Sequence, residues 1–228
     1  SLRAMMARRY EAYKTHVVKP FFREHVARLD RQIVLIDAMQ AINAGPAAVA
    51  DLERALTEIL ACFRQGRGNI LTDLLSRRID RILVAATKAD HLHHESHDRL
   101  QALVRRLADR AIARAGVSGT TVDVVAMAAI RATREGTVKH GRQTLPVIIG
   151  TPIAGETIGD DTFDGETETA VFPGDLPERV DSLLEETNVD AVPMRFVRFR
   201  PPRLERTAEG MTLSLPHIRL DRALQFLL

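Results

Sequence analysis

Apolar positions in the first thirty residues recur at helical spacing: Tyr10, Tyr13, Val17, Phe21 and Val26 lie three to five residues apart. That spacing predicts a helix with Pro20 as a kink or break. The texture then changes. Ile33-Val34-Leu35-Ile36 is a short apolar run bounded by charge, the pattern of a strand buried on both faces as in parallel sheets. Gly45-Pro46 opens the next element, with Pro46 suited to the first helical position. Val49, Leu52, Leu56, Ile59 and Phe63 then share one helical stripe, and Gly66 stands where a C-terminal cap belongs.

The same alternation repeats. Ile82 to Ala86 reads as a second buried strand. Ser96 is placed to cap a helix bearing Leu100, Leu103, Leu107 and Ala111 on one face, closed by Gly116. Val122 to Met127 reads as a third strand. Strand, helix, strand, helix, strand with short links predicts an α/β fold, a parallel sheet flanked by helices. Ligands bind such sheets at the carboxyl ends of the strands, which directs attention to the residues just after Ile36, Ala86 and Met127. Beyond about residue 136, Thr144 to Ile149 and Met194 to Arg200 read as strands. Residues 150–177 are rich in Gly, Pro, Thr and acids, and residues 178–192 read as a polar helix or linker. Ile218, Leu220, Leu224, Phe226, Leu227 and Leu228 read as a helix docked on apolar surface.

Composition narrows the class. With 45% hydrophobic and 27% charged residues over 228 positions, the chain is neither disordered, collagen-like nor a coiled coil, and it has the length of one large domain or one and a half. No apolar run approaches the ~18 residues of a membrane span. The single cysteine, Cys62, fits a reducing compartment. No signal peptide precedes the first helical pattern, so a cytoplasmic location is expected. Thirty-two Lys and Arg face thirty Asp and Glu, a net charge of +2 with no basic tail; a dedicated nucleic-acid binder concentrates its excess.

The strongest local signal is Thr87-Lys88-Ala89-Asp90 at the carboxyl end of the second strand. A carboxylate there accepts two hydrogen bonds, and guanine offers matching donors at N1 and N2. Adenine presents an acceptor at N1 and leaves the carboxylate unpaired. Hydrogen bonds to a charged group contribute about 1.5–3 kcal/mol each, so Asp90 is the candidate selector. Lys88 is placed to lay its methylene stem along a base with its ammonium in water, and Thr87 to brace a neighbouring loop. At the tip of the next strand, Ala128 and Ala129 let the backbone approach, and the Ala128 amide is placed to donate to guanine O6.

The segments His16–Phe22, Asp30–Asp37, Arg78–Leu83, Ala85–His94, Arg131–Glu135 and Phe172–Pro177 together resemble the YcjX-like family, bacterial P-loop proteins similar to Ras-type GTPases and linked to stress responses. The resemblance implies a P-loop NTPase-like sheet with an additional C-terminal lobe, covering the C-terminal part of a longer family member. Residues 1–140 would be the second half of a Ras-like core with an N-terminal helix, 141–216 a family-specific lobe, and 217–228 a terminal helix packing back on the core. It further implies GTP and GDP as ligands, with Thr87, Lys88 and Asp90 reading guanine and Ala128-Ala129 contacting it. None of the four lysines follows a glycine, and no aspartate stands three residues before a glycine. The phosphate-binding loop and the element that senses the third phosphate are therefore absent from these residues. No catalytic residue is expected here, and Mg²⁺ is expected only with an upstream segment.

Other clusters offer competing readings. His91, His93, His94, Glu95, His97 and Asp98 resemble the zinc-binding run of metallo-β-lactamase-like hydrolases, but Glu95 and Ser96 replace its later ligands; a solvated helix-entry loop is the expectation, with a zinc hydrolase as an alternative. Asp160 to Gly165 fails as a calcium loop, because Thr162 and Val171 fall at oxygen-ligand positions. Arg195, Arg198, Arg200 and Arg203 interleave with Phe196 and Phe199, as on a sheet-edge strand. Asp37 is either a group near phosphate or a helix cap. A further alternative is a non-catalytic interaction module whose residues after 140 dock a protein partner in a stress complex.

Overall fold

The computed structural model describes residues 1–24, 30–62, 79–115, 120–176, 194–203, 206–207, 210–211 and 215–228. Val26, Phe63, Gly66, Gly116 and the polar stretch 178–192 lie outside them. The three predicted strands are β1 (Arg31–Ile36), β2 (Arg81–Ala86) and β3 (Thr121–Ala126). They form one parallel sheet in the order β1-β2-β3, with Val34, Val84 and Val124 in one row and Ile36, Ala86 and Ala126 at the carboxyl edge.

Two crossovers cover one face. α1 (Leu2–Tyr13) and α2 (Lys19–Glu24) precede β1; α3 (Ala38–Ala44) and α4 (Pro46–Cys62) lead from β1 to β2, and α5 (His97–Ala115) follows β2. Val49, Leu56 and Leu60 of α4 and Leu100, Leu103, Val104 and Leu107 of α5 bury themselves against Val34, Ile36, Ile82, Val84 and Val124. The opposite face belongs to α6 (Leu220–Leu227). There Leu83, Ala85, Val125 and Met127 meet Ala223, with Leu220, Phe226 and Leu227 packed around them. β2 is thus covered on both faces, as its unbroken apolar run requires.

β1 departs from expectation. Val34 and Ile36 are buried, but Ile33 and Leu35 are 42% and 61% exposed, so only one face is covered. The reason is lateral: α6 reaches across β2 and β3, and no described element lies over the outer face of β1. The N-terminal helix departs as well. Pro20 does not break it; the chain passes through a π-turn at Lys14–Val18, where the Lys19 amide donates to the Lys14 carbonyl, and continues as α2. A proline ring crowds the carbonyl four residues earlier, and the wider turn accommodates it.

A second, antiparallel sheet joins β4 (Arg134–His140), β5 (Gln143–Gly150) and β8 (Thr169–Val171), while β6 (Thr157–Ile158) and β7 (Asp161–Thr162) form a small hairpin. β9 (Arg206–Thr207) pairs with β10 (Gly210–Met211). β4 and β5 turn at Gly141, whose φ of +62° suits glycine, so one hairpin spans residue 140. Met194 to Arg200 is extended; Arg195 N–H donates to Pro173 O at 2.9 Å, and a short bridge follows, Ile153 N–H donating to Arg198 O and Arg200 N–H to Thr151 O, both at 2.8 Å. Pro152 between them has no N–H with which to extend a ladder. Glu156 fastens this segment, its two carboxylate oxygens accepting from Arg198 N at 2.9 Å and Arg198 Nε at 2.7 Å.

Two predictions follow from these attachments. Arg81 donates to Phe226 O at 2.6 Å, and Arg31 to Leu227 O at 2.5 Å, meeting carbonyls that a helix end leaves unsatisfied. Arg81→Ala is expected to cost about 1–2 kcal/mol in urea unfolding, with faster hydrogen exchange confined to α6. For Glu156, burial pushes the carboxyl up, but the hydrogen bonds and charge of Arg198 outweigh it and hold the pKa below its ordinary 4.5. The folded state therefore binds the proton less readily than the unfolded one. Its stabilisation is present above 4.5 and is lost as pH falls through the lowered value. The difference in urea midpoint between the parent and Glu156→Gln should accordingly be constant near neutrality and shrink below pH 4.5.

Candidate functional site

Because Ile36, Ala86 and Ala126 end in register, the segments that follow them emerge side by side. Thr87 turns back immediately: its N–H and its Oγ1 both donate to Ile36 O, at 2.9 and 3.0 Å. Lys88 then takes a left-handed conformation, φ 62° and ψ 30°, a state that costs a non-glycine residue about 1–2 kcal/mol. The residues around it hold it there. Ala89 N–H donates to Met127 O at 3.1 Å, and a 3₁₀ turn, Ala89–His91, follows.

That turn carries Asp90 into the protein, where the residue is 5% exposed. Its Oδ2 accepts from Ala132 N at 2.9 Å, and its main-chain carbonyl accepts from Thr133 Oγ1. Oδ1 receives no hydrogen bond from a described residue. His97, at the start of α5, closes the turn from behind: Nε2–H donates to Ala89 O at 2.8 Å and Leu92 O at 3.2 Å. Burial pushes the His97 pKa down, which keeps the ring neutral.

On the neighbouring strand tip, Ala128 and Ile218 exchange backbone hydrogen bonds, Ala128 N to Ile218 O at 3.0 Å and Ile218 N to Ala128 O at 2.9 Å. The Ala128 amide, expected to face a ligand carbonyl, is therefore occupied. The next amide differs: Ala129 is exposed, and its N–H meets no described acceptor. The strand-tip geometry thus brings Thr87, Lys88, Asp90, Ala128 and Ala129 into one neighbourhood and makes Ala129 the available donor of the pair.

Asp37 resolves as a helix cap with a second contact. Its Oδ1 accepts from Gln40 N at 3.2 Å at the start of α3, and its Oδ2 lies 2.5 Å from Lys88 Nζ. Beside this pair is a cavity of about 260 Å³, lined by Lys88, His91, Gln40, Asn43, Phe196 and Arg198 among others. Asp90 is not part of its wall. His91 packs edge-on to Phe199, ring centres 5.6 Å apart, and burial pushes its pKa down against the raising effect of Asp90. Sequence reasoning missed Phe196, Arg198, Ala132 and Thr133 as neighbours of the turn. Alternating polarity around Phe196 and Phe199 marked that segment as extended, but nothing local indicated where it would dock. A larger opening of about 780 Å³ lies beyond Ala132 and Thr133, with Arg131, Arg134, Arg200 and Arg203 facing Glu166 and Glu168.

The histidine run is less solvated than expected. His93 and His97 are 7% and 4% exposed, whereas the His94 and Glu95 side chains are 62% and 67% exposed. Among the described residues, His93, His94 and Glu95 bring one possible metal-ligand atom each to within 4.8 Å of one another. No described helix is long and apolar enough to cross a membrane.

Similarity to known proteins bears on this arrangement. The chain is 34% identical over 224 residues to a protein of Escherichia coli K12 named Ras-like GTPase YcjX, covering 98% of this chain and 44% of that protein. It is 33% identical over 223 residues to the protein of the same name from Shewanella oneidensis MR-1, covering 98% of this chain and 43% of the relative. The chain thus spans less than half the length of these curated relatives. Its sequence matches the YcjX-like family, DUF463, over residues 1–228. With the family match spanning the whole chain and the relatives 98% of it, the chain belongs to the YcjX-like family.

Proposed function

We propose that this chain supplies the base-reading half of a guanine-nucleotide site in a P-loop GTPase. The observation that carries the reading is Asp90: a nearly buried carboxylate at a strand tip, with one oxygen held by the Ala132 amide and the other receiving no hydrogen bond from a described residue. In this reading Oδ1 accepts from guanine N1–H and N2–H, and the Ala129 amide takes over from Ala128 as donor to O6. The Lys88 stem packs on the base, and Thr87 braces the turn against β1. The names of the relatives support a guanine nucleotide as the ligand. Phosphate binding, Mg²⁺ and the attacking water belong to a segment outside these 228 residues, since no lysine here follows a glycine. The half-covered β1, with Ile33 and Leu35 exposed, is the apolar face that such a segment would cover. A cytoplasmic GTPase associated with stress is the setting the family resemblance supports.

The test uses the full-length protein and compares GDP, ADP and xanthosine diphosphate before and after Asp90→Asn. The unmutated protein is expected to prefer GDP over ADP. Asp90→Asn should weaken GDP by roughly 10–100-fold, the loss of one hydrogen bond to a charged group. It should also strengthen xanthosine diphosphate, whose 2-carbonyl accepts from the new amide where guanine offers only a donor. Equal affinity for GDP and ADP in the unmutated protein would remove Asp90 from this role.

A further inference from the structure

Three residues past the base-reading turn, the chain builds a constellation that the nucleotide site does not use. His93 is buried, and its Nδ1 is sealed from solvent with no hydrogen-bond partner among the described residues. A buried imidazole nitrogen left in that state forfeits about 1–3 kcal/mol of desolvation, so the position implies a partner. The nearest group is the Glu95 carboxylate, with Oε2 3.8 Å from Nδ1. That is beyond hydrogen-bond reach, yet close to the separation of two ligands around one small cation, whose bonds to nitrogen and oxygen are about 2.0–2.2 Å.

His94 supplies the third donor. Its ring centre lies 4.3 Å from that of His93, and its Nδ1 sits 2.5 Å from Glu135 Oε2. The carboxylate makes Nδ1 the protonated nitrogen and leaves the lone pair on Nε2. A ligating histidine commonly donates its other N–H to a carboxylate in this way, an arrangement that fixes the tautomer and raises the basicity of the ligating nitrogen. Glu135 is itself steadied by Arg131 Nη2, 2.9 Å from its Oε1. That positive charge makes Glu135 an orienting group rather than a ligand. The two imidazoles and one carboxylate match late first-row divalent ions better than Mg²⁺ or Ca²⁺, which select oxygen.

The geometry points to a binding site for a divalent transition-metal ion of the zinc type, held by His93 Nδ1, His94 Nε2 and Glu95, with Glu135 orienting His94 and water completing the shell. The ion satisfies the orphaned nitrogen of His93. It also ties the 93–95 turn to β4 through the His94–Glu135 contact, on the strand that directly follows Ala132 and Thr133. The site is independent of the nucleotide reading and requires no reaction at the metal.

Purified protein carrying no affinity tag, stripped with chelator, is titrated with Co²⁺ by absorption spectroscopy and with Zn²⁺ in competition with a chromophoric chelator. One ion per chain is expected, with visible Co²⁺ bands showing nitrogen ligation. His94→Ala and Glu95→Gln change exposed side chains and should leave the fold intact while weakening the ion at least tenfold; Glu135→Gln should weaken it about 10–100-fold. Far-ultraviolet circular dichroism of each variant checks the fold. No Co²⁺ uptake at millimolar concentration would overturn the proposal. Uptake that all three substitutions leave unchanged would overturn it equally, since the ion would then sit elsewhere.

Discussion

A carboxylate buried to 5% exposure has to be hydrogen-bonded, and the arrangement of the strand tips depends on how Asp90 meets that demand. The Ala132 amide takes one oxygen and the Thr133 hydroxyl takes the main-chain carbonyl. Those contacts bind the loop after β3 to the turn after β2. Thr87 binds the same turn to the end of β1, and His97 closes it from α5. Lys88 is held left-handed within this lattice. Strain of that kind persists only where the surroundings over-determine the backbone, and functional sites are where it collects.

The last residues of the chain extend the same scaffold. Ile218 pairs with Ala128, and Pro216 O accepts from Arg131 N at 2.7 Å. Arg219 reaches Asp98 Oδ1 at 2.6 Å and Gln101 Oε1 at 3.0 Å on α5. α6 then covers the back of β2 and β3, its carbonyl end held by Arg31 and Arg81. The tail therefore acts at two levels. It buries the second face of the sheet, and it consumes the Ala128 amide, leaving the Ala129 amide as the one of the pair with no described acceptor. A packing requirement has thereby decided which of the two backbone amides is already paired.

The Arg131 and Glu135 side chains show a similar division. Arg131 Nε donates to Thr133 O at 2.9 Å while Nη2 pairs with Glu135. One guanidinium thus stiffens the segment that holds Asp90 and at the same time orients the carboxylate beside His94. The turn that carries Asp90 and the histidine constellation thus share a support.

The three parallel strands, the helices between them and the strand-tip tetrapeptide were legible in the amino-acid sequence because each is a local signal: an apolar run of strand length, a helical stripe, a polar turn at a fixed place. The family was legible for the same reason, in short segments distributed along the chain. β4 was not legible, since Arg134–His140 is mostly exposed and carries no apolar alternation. Neither was the half-covered state of β1, because an apolar strand reads the same whatever lies over its outer face. Among the site residues, identity and spacing marked Thr87, Lys88 and Asp90. The occupation of the Ala128 amide by Ile218 and the Lys88–Asp37 contact join residues 90 and 51 apart in the chain. Hydrogen-bond partners across such separations are set by where whole elements pack, and only the tertiary structure decides that.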